Sequence, residues 1–361
     1  MQSSIKQIRN PKKILIVKPS SLGDVVHSLP FLNAIKERFP TAEIHWVIAK
    51  GLEDLLTGHP MVNKIWVIHK DTWKKLSHIR SSLHEIRVLL RKLKKGKYDI
   101  VVDLQGLLRS GIITRATGAP VRIGFKEARE GSRFFYTHMV KGGRDIHAVD
   151  RYLKIAAFLG CDITDICFPF PLSFSSALST EHLTLKEDYA VIVPGARWKT
   201  KRWSPEKFGE LASLLPLMTV IVGSKGDRNI AKEIVSLSNG KSLSLVGKTD
   251  LKGLIEVIRG ARFLVSNDSG PMHVAAALSV PVFALFGPTD PLRTGPYGKG
   301  HTIIREDIPC APCFRKTCDD LKCMENLSVE RVYETVKSKL VILNLIPSAS
   351  NTLLSSEKLQ L

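Results

Sequence analysis

Short apolar runs alternate along this chain with stretches whose apolar residues recur every three or four positions. In the first half, Lys13–Val17, Glu43–Ala49, Lys64–Ile68 and Asp99–Leu104 read as strands. In the second, Ala190–Val193, Met218–Val222, Ser242–Val246, Phe263–Ser266 and Val282–Phe286 do the same. Helical spacing fills the gaps. It predicts helices over Asp24–Arg38, with Val25, Val26, Leu29, Phe31, Leu32 and Ile35 apolar, over His84–Lys95 with a basic face, and over His147–Leu159. Pro205–Leu215, Asp227–Leu237, Leu251–Arg259 and Gly270–Leu278 follow, with a late helix at Ser328–Leu343. Strands alternating with helices build parallel sheets from βαβ units. Two such series predict two doubly wound α/β domains, residues 1–178 and 185–346. The Ser-rich stretch Ser173–Thr184 is their linker, and 347–361 is a polar tail. Ligands of open α/β sheets bind beyond the carboxyl ends of the strands. The chemistry is therefore sought just after Val17, Val193, Val222, Val246 and Ser266.

Length agrees with two domains, since single cores stop growing near ~250–300 residues and this chain has 361. Its 44% hydrophobic and 24% charged residues are ordinary for a globular protein and exclude a disordered or fibrous one. Charge is less ordinary. Lys and Arg total 53 against 34 Asp and Glu, a formal +19. Residues 1–180 hold 29 basic and 15 acidic side chains (+14), and residues 181–361 hold 24 and 19 (+5). Such an excess implies an anionic partner: nucleic acid, phosphorylated metabolite or anionic membrane. No nucleic-acid motif accompanies it, and aromatics are only 7% with no stacking series. No apolar run approaches the ~18 residues of a membrane span, and Ile14–Val17 is too short for a signal segment, so a cytoplasmic location is expected. Six cysteines in so long a chain do not suggest a secreted disulfide scaffold.

Four local patterns carry candidate chemistry. Lys18-Pro-Ser-Ser-Leu-Gly-Asp-Val-Val-His follows the first strand and opens the first helix. Gly23 permits close backbone approach, and the helix N-terminus favours anions. Asp24 reads either as a carboxylate stabilising the helix dipole or as a general base at a strand end. Neither G-x-G-x-x-G nor a Walker lysine loop is present, which disfavours a dinucleotide or P-loop site. Arg197-Trp-Lys-Thr-Lys-Arg-Trp203 reads as a phosphate clamp or as a solvated basic loop with packed tryptophans. Ser266-Asn-Asp-Ser-Gly-Pro-Met-His273 is strand, turn and helix, whose backbone N–H groups suit a pyrophosphate; His273 is a ligand-facing or a packed histidine. Phe286-Gly-Pro-Thr-Asp-Pro291 is a turn by composition. Cys310, Cys313, Cys318 and Cys323 could hold a structural zinc, order a loop as reduced thiols, or form a disulfide, which cytosol disfavours.

In this order, these motifs resemble the ADP-heptose:lipopolysaccharide heptosyltransferases, from about Lys13 to Val336. The pieces that carry the resemblance are the Lys18–His27 segment, Asp103-Leu-Gln-Gly-Leu-Leu, Lys201-Arg-Trp, Val246-Gly-Lys-Thr, Ser266–His273 and Phe286–Pro291. The resemblance implies a GT-B fold, two Rossmann-like doubly wound domains facing a central cleft, with acceptor in the first and donor in the second. It makes Asp24 the catalytic aspartate and places Lys18, Gly23 and Arg129 toward the acceptor. Lys201, Asp268, Ser269, Gly270 and His273 become the donor-phosphate site, with Thr249 and Asp227 toward the adenosine. Asp24 would take a proton from the acceptor hydroxyl as it attacks the anomeric carbon, with inversion. Lys201 and the N–H groups near Ser269 would stabilise the departing diphosphate.

The implied partners are ADP-heptose, a Kdo-lipid A or heptosyl-Kdo-lipid A acceptor, and the anionic cytoplasmic face of the inner membrane, without nucleic acid. No cofactor is expected for catalysis, a structural zinc aside. Ser269 stands where a threonine is common, and the hydroxyl survives. The Gly23-Asp24 opening is closer to the first heptosyltransferase, which acts on the innermost Kdo sugar, and the cysteine loop is closer to the second. Two alternatives stand: a GT-B enzyme using another nucleotide sugar, and a basic nucleic-acid-binding protein.

Overall fold

The computed structural model describes residues 10–69, 79–171 and 188–342. The predicted linker Ser173–Thr184 and the tail 347–361 lie outside them. The chain divides into two compact units, Met1–Ala177 with Leu292–Tyr297, and Leu178–Pro291 with Gly298–Leu361.

In the first unit, β1 (Lys13–Val17) is followed by α1 (Leu22–Val26), α2 (Leu29–Arg38), β2 (Glu43–Ala49), β3 (Lys64–Ile68) and α3 (Ile79–Lys95). Then come β4 (Ile100–Asp103), α4 (Leu108–Ala116), β5 (Val121–Phe125), β6 (His138–Val140) and α5 (Ala148–Phe158). The six strands are parallel, in the order β3-β2-β1-β4-β5-β6. Ile14 to Val17 of β1 are fully buried, as a strand covered on both faces must be. Strand order reverses between β1 and β4, where such a sheet opens a crevice.

The single helix expected over Asp24–Arg38 is two helices. Pro30 lies in the first turn of α2, where its missing N–H costs nothing, and the break falls at Ser28, whose hydroxyl donates to the Asp24 carbonyl at 2.8 Å. Strands β5 and β6 were not anticipated. Arg122 and Gly124 interrupt the apolar run of β5, and Gly124 is required there because a Cβ would lie 2.2 Å from the Tyr136 ring.

The second unit repeats the winding. It runs β7 (Tyr189–Val193), α6 (Pro205–Leu214), β8 (Met218–Ile221), α7 (Arg228–Leu237), β9 (Ser242–Ser244), α8 (Leu251–Arg259), β10 (Phe263–Asn267) and α9 (Gly270–Ala277). It closes with β11 (Val282–Phe286), β12 (Thr302–Arg305), α11 (Lys322–Glu325) and α12 (Val329–Ile342), and the short α10 (Pro291–Thr294) comes between β11 and β12 in the chain. The parallel order β12-β11-β10-β7-β8-β9 is that of the first sheet read from its other edge. Trp203, Phe208, Phe263, Phe283 and Leu340 fill one side of it, and the buried Trp203 indole donates to the Leu327 carbonyl at 2.9 Å. Ser204 caps α6 ahead of Pro205, and Asp250 caps α8 through the Gly253 N–H at 2.7 Å.

A division at 178–185 alone omits one exchange. Leu292–Tyr297 belongs with the first unit: Tyr297 donates to Asp150 at 2.6 Å, and the His147 Nε2 donates to the Gly295 carbonyl at 3.0 Å.

Candidate active site

The β1–β4 crevice of the first unit holds a cavity of about 540 Å³. Asp24 enters it from the start of α1. Its Oδ2 accepts from the Ser21 N–H at 2.8 Å and the Ser21 hydroxyl at 2.7 Å. Its Oδ1 lies 3.4 Å from the Lys18 ammonium and 3.3 Å from the Tyr152 hydroxyl. Burial works against a charge here, but the Lys18 ammonium and the Ser21 hydrogen bonds outweigh it and hold the Asp24 carboxyl below its usual range. Burial likewise opposes the Lys18 charge, and Asp24 and Tyr152 reverse that, raising its pKa. Lys18 also donates to the Leu104 carbonyl at 3.4 Å, which ties the loop after β1 to the loop after β4.

Asp103 fixes that second loop. Its Oδ1 accepts from the N–H groups of Gln105 (2.8 Å) and Gly106 (3.0 Å), and its Oδ2 from the Tyr136 hydroxyl (2.7 Å). Gly106 adopts φ +66°, open to glycine at little cost, and its carbonyl receives the Arg129 N–H at 2.8 Å. Arg129 therefore lines the cavity, beside Arg144, Arg151 and Arg293. Arg151 lies over the Phe125 ring at 4.5 Å, and its buried Nε has no hydrogen-bond partner. Burial, with Arg293 and Arg129 near, lowers its pKa. Five cations face Asp24 and Glu127 in this space, which suits an anionic ligand.

The second unit opens a cavity of about 470 Å³ at the matching crevice, between β7 and β10. Asn267 staples the two loops there: its amide donates to the Pro194 carbonyl at 2.8 Å, and its oxygen accepts from the Trp203 N–H at 3.1 Å. Ser269 and Gly270 present the N-terminus of α9 to the cavity, with Thr249 and Asp227 on other walls. Arg197 and Arg202 line it too. Two βα units thus place an acid among cations in one unit and a helix N-terminus among arginines in the other.

Comparison with known proteins gives this geometry its context. Residues 86–324 match glycosyltransferase family 9 (heptosyltransferase). A lipopolysaccharide heptosyltransferase 1 from Pseudomonas aeruginosa is 33% identical over 359 residues, covering 91% of this chain and 98% of that one. The chain belongs to glycosyltransferase family 9. The E. coli heptosyltransferase WaaC, solved with ADP, is similar at TM-score 0.76 and 27% identity, covering 91% of this chain and 99% of that one. The same enzyme with ADP-2-deoxy-2-fluoro heptose gives 0.74 at 27% identity, with 90% and 99% covered. The chain is therefore a GT-B glycosyltransferase with two Rossmann-like domains.

Within this family 9 glycosyltransferase, several sequence-assigned residues are engaged by other parts of the protein or lie outside the two cavity linings. Gly23 is buried inside α1, where its carbonyl accepts the His27 N–H, and it does not line the cavity. Lys201 donates to Asp268 Oδ2 at 2.8 Å and lies over the Trp198 ring at 5.0 Å. Asp268 Oδ2 also accepts from Thr289 at 2.7 Å, so the Phe286–Pro291 turn buttresses the Lys201–Asp268 pair. Neither residue of the pair lines the 470 Å³ cavity, and His273 is buried in α9 outside that lining. Asp227 lines the cavity, yet its Oδ2 is engaged by the Ser224 N–H and hydroxyl at 2.9 and 2.7 Å.

In this structure the cysteine loop does not gather the expected zinc ligands. Among the described residues no group of three or more His, Cys, Asp or Glu side chains is arranged to hold a metal ion. Cys310 and Cys318 face solvent, while Cys323 is buried in α11. Burial, then the neighbouring Cys310, Cys313 and Cys318, push the Cys323 thiol up to about 11.

Proposed function

We propose that this enzyme transfers heptose from ADP-heptose, with inversion, to the innermost Kdo sugar of a lipid A-linked acceptor. The E. coli relative's structures with ADP and a fluorinated ADP-heptose support the donor, and the heptosyltransferase 1 relative supports the first transfer. The observation that carries the mechanism is Asp24, held ionised in a cationic cavity at the β1–β4 crevice. Its Oδ2 is occupied by Ser21, whereas the contacts of Oδ1 are long, so Oδ1 is the oxygen left to accept a proton. The acceptor hydroxyl attacks the anomeric carbon and forms the new C–O bond. The bond from that carbon to the diphosphate oxygen breaks, and ADP leaves with its electron pair. The hydroxyl proton passes to Asp24. Arg197, Arg202 and the N–H groups at Ser269–Gly270 receive the diphosphate charge. Arg129, Arg144 and Arg151 hold the acceptor's carboxylates and phosphates.

Replacing Asp24 with Asn tests this. Heptose transfer is expected to fall by roughly 10²–10⁴, with the fold retained by circular dichroism. Near-normal turnover in the folded variant overturns the base assignment. Calorimetry comparing ADP with UDP tests the donor base. The cationic first unit further supports a peripheral site of action on the cytoplasmic face of the inner membrane.

A further inference from the structure

One surface of the first unit has no part in this chemistry. Leu108 is 43% exposed, Ile112 42% and Phe134 77%. Single apolar residues at a surface are common, but a group of them marks an interaction site. The backbone groups these three. Leu108 and Ile112 stand one turn apart on α4. Gly111 between them lets α4 lie against the 3₁₀ turn Ser132–Phe135, since a Cβ there would come within 3.0 Å of the Ser132 Cβ and 2.7 Å of the Phe135 ring. The Leu108 N–H donates to the Glu130 carboxylate at 3.2 Å.

The charges around the patch are mainly basic. Arg109, Arg115, Arg129 and Arg133 are exposed on the same elements and their connecting loop, with Glu130 among them. The Arg133 guanidinium lies over the Phe134 ring at 5.1 Å. The patch also adjoins the acceptor cavity, because Gly106 and Arg129, which line it, flank these elements in the chain.

We infer that Leu108, Ile112 and Phe134 form a membrane-docking patch that enters the headgroup–acyl boundary of an anionic bilayer. It brings the cavity to a lipid-anchored acceptor, and so rests on the proposed acceptor class. Apolar side chains ringed by Arg are what such a boundary takes, the side chains among the acyl ends and the guanidiniums at the lipid phosphates. A second copy of the chain is a poorer occupant, since a two-fold contact would set four arginines against the same four.

The full-length protein is tested by co-sedimentation with phosphatidylglycerol-containing vesicles, without sugar substrates. Phe134→Ser is expected to weaken vesicle partition roughly tenfold, and the further exchanges Leu108→Ser and Ile112→Ser to abolish it, while Phe134→Leu keeps most of it. Transfer to a deacylated, water-soluble acceptor stays unchanged in Phe134→Ser, and transfer to the same acceptor embedded in vesicles falls with partition. Unchanged partition of the triple variant overturns the patch. So does a solution dimer dissolved by Phe134→Ser with vesicle binding intact. No transfer to either acceptor by the unmodified enzyme, with vesicle binding intact, counts against the proposed activity and leaves the patch standing.

Discussion

Lys18 keeps only 3% of its side chain in water, against 39% for Asp24, so the pair is asymmetric: the lysine depends on the aspartate for its charge. Asp24's folded pKa lies below its unfolded value, so its contribution to stability is full above the ordinary carboxylate range, about 3.9, and is lost as pH falls through the lowered value. Lys18's pKa is raised, so its contribution is full below about 10.4 and is lost as pH rises through the raised value. The ion pair is thus intact across neutral pH. Removing the cation leaves burial as the dominant effect on Asp24. Lys18→Met is therefore expected to move the acid limb of the kcat/KM profile upward by ~1–3 pH units. A pH–rate profile of the folded variant measures this. An unmoved limb means that Lys18 does not tune Asp24.

Between elements, close backbone approach shapes the second cavity. Gly195, just after β7, lies against Asp227: a Cβ there would stand 2.9 Å from three atoms of the carboxylate. That carboxylate cannot swing away cheaply, since Ser224 holds it through two hydrogen bonds. Gly195→Ala is expected to distort this wall and weaken ADP binding by ~1–3 kcal/mol, which calorimetry measures. Unchanged affinity would show that the wall yields without cost. The same local logic explains what the sequence makes legible. Strands β1, β2 and β11 are dominated by apolar residues and are found to the residue, and α8 is fixed by its apolar spacing and its Asp250 cap. Strand β6 has three residues, and α4 mixes Gly111 and Thr114 into its buried face, so neither shows a period. Asp24, Arg129, Asp227, Thr249, Ser269 and Gly270 belong to motifs and can be read at strand ends or by resemblance. Arg144, Arg151 and Arg293 cannot, because only folding brings their scattered positions to one cavity. Lys201 and Asp268 are legible as a motif, but not as partners of one another.

For the whole molecule, the open question is where +19 of charge acts. The first 180 residues carry +14 of it, and α3 concentrates it. Leu93 of α3 is buried in the core, with Leu89 and Leu90 packed beside it, while Arg87, Arg91, Lys92, Lys94, Lys95 and Lys97 are exposed on and just beyond the helix. Exposed charges of this kind attract an anionic bilayer over about a Debye length, ~8 Å at physiological salt and ~3 Å at 1 M. Burial of Phe134 and its neighbours in lipid would be almost indifferent to salt. The two contributions should therefore separate in one titration. Vesicle affinity of the wild-type enzyme is expected to fall with added salt to a plateau, and Arg91→Glu with Lys95→Glu to start near that plateau with a flatter slope. Phe134→Ser should keep the wild-type slope and lower the plateau. Equal slopes for the α3 variant and the wild type would move the electrostatic contact off α3, and a plateau at zero would leave charge alone to hold the enzyme at the membrane.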